Sequence, residues 1–177
     1  MRLIAHRGGL YYRPENTMAA FGNILGAGIE WIECDVRMSA DGVPILFHDD
    51  TLDIDGNGVR LVSEMTREQL MLHDVGGGEG VPSLEDLFTK FHDVMCFDVE
   101  LKEIDTAEVT MKLIDRFDVV ERCMITSFIP DALQICRDLN PDVARGFLVD
   151  RLTGNLVDIK STVKAAKLLE CVAILPH

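Results

Sequence analysis

Long apolar runs are missing from this chain. No stretch approaches the roughly 18 residues needed to span a bilayer. Nor does a charged segment lead into an apolar one near the start, so neither a signal peptide nor stable membrane insertion is expected, and the expected location is cytoplasmic. Cysteine is sparse and odd in number: Cys34, Cys96, Cys123, Cys136 and Cys171, with no CxxC spacing. Four of them lie in or beside apolar runs, which predicts reduced core residues and not a disulfide framework. Positive charge is short as well. Seventeen Lys and Arg face 30 Asp and Glu, for a net charge of −13. That balance excludes a nucleic-acid binder, which needs a basic face, and gives no general attraction to anionic lipid. An anionic substrate must then be held by local cations or by a metal.

Internal repeats, low-complexity tracts and linkers are also absent, so the 177 residues read as a single domain, 1–177. Within it, short apolar strand-like runs alternate with helical patterns. The predicted strands are Leu3–His6, Trp31–Val36, Val43–Phe47 across a candidate hairpin at Asp41-Gly42, Val94–Leu101, Cys123–Phe128, Arg145–Val149 and Cys171–Leu175. The predicted helices are Asn16–Gly28, Arg67–Leu72, Ser83–Phe91, Thr106–Phe117, Asp131–Leu139 and Ile159–Leu169. About seven strands mostly separated by helices mean a parallel α/β fold. Residues 50–80, polar and glycine-rich, form the one long segment without a clear assignment, as expected of a lid or small inserted subdomain.

Polar residues with chemical capacity gather at the ends of the apolar runs. His6-Arg7-Gly8 ends the first. Glu33 and Asp35 sit two apart on one strand face, and two carboxylates there need a partner such as a hard divalent cation, unless that face is solvated. Glu100 and Lys102 repeat the spacing, as a structural ion pair or as a third carboxylate beside a cation for an anionic group. Asp98 shares their face but lies deeper. His6 and His48 end two different strands, and imidazole is suited to moving protons near neutral pH. Arg7 offers a planar fork for phosphate oxygens. His73, His92 and His177 lie in loops or at the terminus and carry no such company. Chemistry at the ends of four strands favours a barrel, which brings all strand ends to one rim, over an open sheet with one switch point.

Taken together, His6-Arg7-Gly8, Pro14-Glu15-Asn16-Thr17, Ile32-Glu33-Cys34-Asp35-Val36, Asp41-Gly42-Val43-Pro44, His48-Asp49 and Glu100-Leu101-Lys102 resemble the motifs of the glycerophosphodiester phosphodiesterases. Val81-Pro82-Ser83-Leu84-Glu85 and Thr126-Ser127-Phe128 resemble two further segments of that family, and the likeness runs from residue 3 to about residue 150. The resemblance implies a TIM-type (β/α)8 barrel that hydrolyses glycerophosphodiesters to an alcohol and glycerol 3-phosphate. It implies a divalent cation, Mg²⁺ or Ca²⁺, on Glu33, Asp35 and Glu100, with His6 and His48 as the acid–base pair. Arg7 and Lys102 would bind phosphate, Glu15 would help hold the metal or the glycerol end, and Asn16 would orient the site. Residues 50–86 would be a small cap.

Two departures stand out. Ile54 occupies the place of an expected arginine, which bears on substrate choice. The family's closing strand with its tryptophan, and its final helix, have no counterpart; the single tryptophan is Trp31. The expectation is a C-terminally incomplete barrel: a fragment, a homo-oligomer closed by another chain, or an open barrel. Two other functions fit the residues less well. A lysophospholipase D-type lipase on the same barrel needs an apolar membrane-facing loop, whereas 50–80 is mostly polar. A non-enzymatic phosphodiester-binding domain fits the missing closing portion, but not the intact motifs up to Lys102.

Overall fold

The computed structural model describes residues 3–9, 14–54, 58–150 and 158–176. His177 and residues 55–57 of the segment 50–86 lie outside them. Six parallel strands form a curled sheet in chain order: β1 (Ile4–Ala5), β2 (Trp31–Met38), β6 (Cys96–Leu101), β7 (Cys123–Ser127), β8 (Ala144–Val149) and β9 (Ala173–Pro176). A seventh strand, β3 (Pro44–Leu46), pairs antiparallel with the end of β2. A separate hairpin joins β4 (Thr51–Asp53) to β5 (Val59–Leu61). The helices are α1 (Met18–Gly26), α2 (Arg67–Leu72), α3 (Leu84–Phe91), α4 (Thr106–Arg116), α5 (Pro130–Leu139) and α6 (Ile159–Leu168).

The fold is the expected TIM-type arrangement in part-barrel form. Of the seven strands counted in sequence, Val43–Phe47 turns back against its neighbour, so the parallel path has six members. Eight-stranded closure therefore calls for two more parallel strands beside those described.

Alternation along the strands decides which side is core. On β2 and β6 the residues Ile32, Cys34, Val36, Phe97, Val99 and Leu101 point to the helices and are all essentially buried. There they pack with Phe21 and Ile24 of α1, Leu87 and Phe88 of α3, Met111 and Ile114 of α4, and Leu133 of α5. The intervening residues, Glu33, Asp35, Asp98 and Glu100, face the other way, as the period of two requires. The five cysteines are free, with Cys34, Cys123 and Cys136 buried in the outer layer. Burial pushes the Cys136 thiol up to about 12.

Ile45 of β3 and residues between β3 and α3 build a second apolar cluster, Ile45, Leu52, Val62, Met65, Leu70 and Val81, with Phe47 and Ile54 packed against it. It is tied to the main body by Arg67 Nη2, which donates to both carboxylate oxygens of Asp86 at 3.0 Å. Among the described residues, no helix is long and apolar enough to cross a membrane.

Candidate active site

The register of the strands puts the polar residues in rows. Ala5 pairs with Ile32, which brings the following His6 level with Glu33; Glu33 pairs with Asp98, and Asp35 with Glu100. β2 runs past the end of β6 through Arg37 and Met38. The turn that follows is closed by Gly42 N–H on Ser39 O, 3.0 Å, with Gly42 at φ 76°. β3 then descends alongside β2, Leu46 opposite Val36, and Phe47 N–H donates to Asp35 O at 3.1 Å. His48 follows one residue past the level of Asp35, close enough for its charge to act on Glu100.

The loop after β1 closes over the same row. Its Arg7 adopts φ 54°, and its backbone N–H donates to Glu33 Oε2 at 2.8 Å. Gly8 is required there, because a Cβ would stand 2.8 Å from Ala20 Cβ in α1 at a φ of +80°. Asn16, at φ 56°, donates from Nδ2 to Asp35 Oδ2 at 2.8 Å and accepts from Asp35 N–H at 3.3 Å. Thr17 caps α1, accepting from Ala20 N–H at 3.3 Å.

One oxygen from each of Glu33, Asp35 and Glu100 falls within 4.8 Å of the others, and all three residues are buried. Two cations face them. Lys102 Nζ donates to Glu100 Oε1 at 2.6 Å and stands 2.9 Å from Asp35 Oδ1. Arg7 donates to Glu15 Oε1 at 2.9 Å and stands 3.2 Å from Asp35 Oδ2 through Nε. Neither approach to Asp35 has well-aligned hydrogen-bond geometry, and both act chiefly through charge. Burial works against the Asp35 carboxylate, but Lys102, Asn16 and Arg7 outweigh it and hold its pKa below the usual value. Burial pushes Glu33 well above the ordinary carboxyl range, and the charge of Asp35 pushes the same way. Burial raises Glu100 despite Lys102, and raises Asp98 to about 6 despite the hydrogen bond from Thr126 Oγ1.

Four buried carboxyl groups thus lie beside two cations, one of which also serves Glu15, and Glu33 Oε1 is buried without a hydrogen-bond partner. Such an oxygen is costly unless a donor or cation reaches it. An all-oxygen set short of positive charge fits a hard divalent cation. Beside it a cavity of about 200 Å³ is lined by His6, Glu33, Asp98, Glu100 and Thr126, with Ile4, Leu148 and Leu175 as its apolar wall.

Residues 6–177 match the model of the glycerophosphoryl diester phosphodiesterase family. The chain belongs to that family. It is 31% identical over 159 residues to a glycerophosphodiester phosphodiesterase of Caldanaerobacter subterraneus, covering 82% of this chain and 65% of that protein. It is 29% identical over 153 residues to human glycerophosphodiester phosphodiesterase 1, covering 79% of this chain and 46% of the human one. The chain therefore spans under two thirds of the length of these relatives. Among solved structures it is similar to an Oleispira antarctica phosphodiesterase in complex with the product sn-glycerol-3-phosphate. That match has a TM-score of 0.85 and 27% identity, and covers 100% of this chain and 75% of the other. It is also similar to a glycerophosphodiester phosphodiesterase of Agrobacterium tumefaciens, with a TM-score of 0.82, 29% identity, and 99% and 76% coverage.

In this member of the glycerophosphoryl diester phosphodiesterase family, the sequence-selected residues Arg7, Glu15, Asn16, Glu33, Asp35, Glu100 and Lys102 form one connected network. His6 adjoins it, with Nε2 3.8 Å from Glu33 Oε2. His48 stands at its edge, with Nδ1 2.7 Å from Asp49 Oδ1. Arg7 and Lys102, singled out for phosphate, are both paired with carboxylates. Ile54, in the place of the expected arginine, packs into the second apolar cluster. Sequence reasoning missed Arg37 and Glu103. Arg37 Nε donates to the His48 carbonyl at 2.9 Å and Nη1 to Glu103 Oε1 at 2.7 Å. The signal was available, because Arg37 continues the Glu33, Asp35 face and Glu103 follows Lys102.

Proposed function

We propose that this chain carries the hydrolytic site of a glycerophosphodiester phosphodiesterase, releasing an alcohol and glycerol 3-phosphate. The observation that carries this reading is the buried trio Glu33, Asp35 and Glu100 facing Arg7 and Lys102, with one oxygen of Glu33 lacking a partner. The glycerol 3-phosphate held by the Oleispira antarctica relative supports the same substrate class. Glu33, Asp35 and Glu100 would hold a divalent cation, Mg²⁺ or Ca²⁺. When bound, it supplies positive charge against the phosphoryl oxygens and neutralises the carboxylates.

The chain's own residues do the rest. With the carboxylates neutralised, Arg7 and Lys102 become available to phosphate oxygens, Arg7 through its planar fork. Asn16 holds Asp35 in place from both sides. Glu15 orients the Arg7 guanidinium and reaches toward the glycerol end. His6 and His48 exchange protons, one taking a proton from the attacking hydroxyl or water and the other giving one to the leaving alkoxide. Donation from His48 Nδ1 to Asp49 leaves Nε2 as the working nitrogen. The segment 50–86, whose apolar residues pack with Ile45 of β3, acts as the cap beside this site. A small glycerophosphodiester in a cytoplasmic setting matches the polar character of that segment.

The test is release of glycerol 3-phosphate from glycerophosphocholine, with and without a chelator. Turnover is expected to vanish with chelator, return with Mg²⁺ or Ca²⁺, and fall by about 100-fold or more in His48→Ala. Turnover that persists in chelator refutes the cation's role, and an unimpaired His48→Ala refutes the acid–base assignment.

A further inference from the structure

Few side-chain contacts hold the imidazole of His48. Its side chain is 36% exposed, its hydrogen bond among the described residues is with Asp49, the next residue along the chain, and its charge also acts on Glu100. The last ladder bond of this arm is Phe47 N–H to Asp35 O. Beyond that point, what fixes the height of His48 over the carboxylate row is its main chain.

Arg37 supplies that hold. It lies two residues beyond Asp35 on β2, so it shares the face of Glu33 and Asp35. Its Nε donates to the His48 carbonyl at 2.9 Å, and its Nη1 to Glu103 Oε1 at 2.7 Å. The other oxygen of Glu103 accepts from the Met38 N–H at 3.0 Å. Glu103 itself follows Lys102, whose backbone N–H donates to Val36 O at 3.1 Å. One guanidinium therefore joins the strand end bearing Asp35, the strand end bearing Glu100 and Lys102, and the returning arm bearing His48. Its side chain is 15% exposed and that of Glu103 29%, so solvent screens these charge-assisted bonds less than it would a surface pair. A guanidinium suits the task because its donors lie in one rigid plane, whereas an ammonium is a single point.

We infer that Arg37 and Glu103 are positioning residues: they set the His48 main chain relative to the carboxylate trio without touching the substrate. This inference rests on the acid–base reading of His48. A plain strand staple would tie β2 to β6 and leave the imidazole indifferent, and the experiment separates the two.

Arg37→Gln, Arg37→Lys, Glu103→Gln and His48→Asn are compared with the unaltered chain, using glycerophosphocholine with Mg²⁺ or Ca²⁺ present. Arg37→Gln is expected to lower kcat about tenfold or more while KM stays within about twofold, since misplacing a reacting group by an ångström is costly. Arg37→Lys is expected to recover only part of the loss. Glu103→Gln is expected to shift in the same direction, and is read in place of Arg37→Gln should that variant not fold. Independently of turnover, the His48 imidazole ¹H–¹⁵N resonances are expected to shift or broaden in Arg37→Gln, with the His6 resonances little changed. An Arg37→Gln variant with unchanged kcat and unchanged His48 resonances overturns the inference, as does a loss confined to KM. Full activity in His48→Asn would instead overturn the acid–base reading, and the resonances alone would then decide whether Arg37 positions the ring.

Discussion

Asn16 shows how much one side chain does at this site. It sits at φ 56°, a left-handed conformation that asparagine tolerates better than most residues. That conformation turns its amide onto Asp35, where Nδ2 meets Oδ2 and Oδ1 meets the backbone N–H. Its own backbone N–H donates to Arg7 O at 3.0 Å, so the same residue sets the loop that carries the guanidinium. Asn16 and the neighbouring Thr17 are both residue types that cap helices. Thr17 takes the cap, and this frees Asn16 to hold a candidate ligand. Asn16→Gly keeps the backbone conformation accessible but deletes both side-chain bonds. Outer partners of metal ligands commonly govern affinity by about 10- to 100-fold, so divalent-cation binding measured by calorimetry is expected to weaken by that order. Unchanged affinity in Asn16→Gly would show that Asp35 needs no such support.

Among elements, α3 is the most heavily anchored at its start. Ser83 and Asp86 form a reciprocal capping box, and Asp86 also takes both contacts from Arg67 of α2. Burial opposes ionisation of Asp86, but Ser83 and Arg67 outweigh it and lower its pKa. A carboxyl lowered on folding stabilises above its unfolded value, and that contribution disappears as pH falls through the folded value. Loss is therefore expected to begin near about pH 4 and to be complete at more acid pH. Asp86→Asn should be less stable than the unaltered chain in urea unfolding at pH 7, with the gap closing toward pH 2; an equal gap at both ends would rule the linkage out. This cap was visible in sequence, because Ser83 stands three residues before Asp86 and follows Pro82. The antiparallel course of β3 was signalled too, by the candidate hairpin at Asp41-Gly42. The pairing of Arg37 was less legible: period two puts Arg37 on the face of Asp35, but its partner Glu103 lies 66 residues away and only the register of the strands brings them together.

Across the whole molecule, the alternating pattern was enough to reveal the sheet, its helical cover and the face that carries the chemistry. Period two places Glu33, Asp35, Asp98 and Glu100 on one side whatever the closure of the barrel. The number of parallel strands was less legible, because counting apolar runs does not tell a sheet member from a returning arm. All of the candidate ligands come from neighbouring β2 and β6, while the β1 loop contributes through the Arg7 N–H on Glu33. A cation there would draw three adjacent strands together and relieve the crowding of four carboxyl groups. It would bind the folded sheet and not the unfolded chain, in which these residues are far apart. Ligand at about 100 times its Kd then adds about 2.7 kcal/mol. For a chain of this size that corresponds to a rise in Tm of about 5–10 °C. Scanning calorimetry in chelator and then in excess Mg²⁺ or Ca²⁺ should show this rise, and Glu100→Gln should remove most of it. A melting temperature indifferent to both cations would mean that the carboxylate trio is held by Arg7 and Lys102 alone.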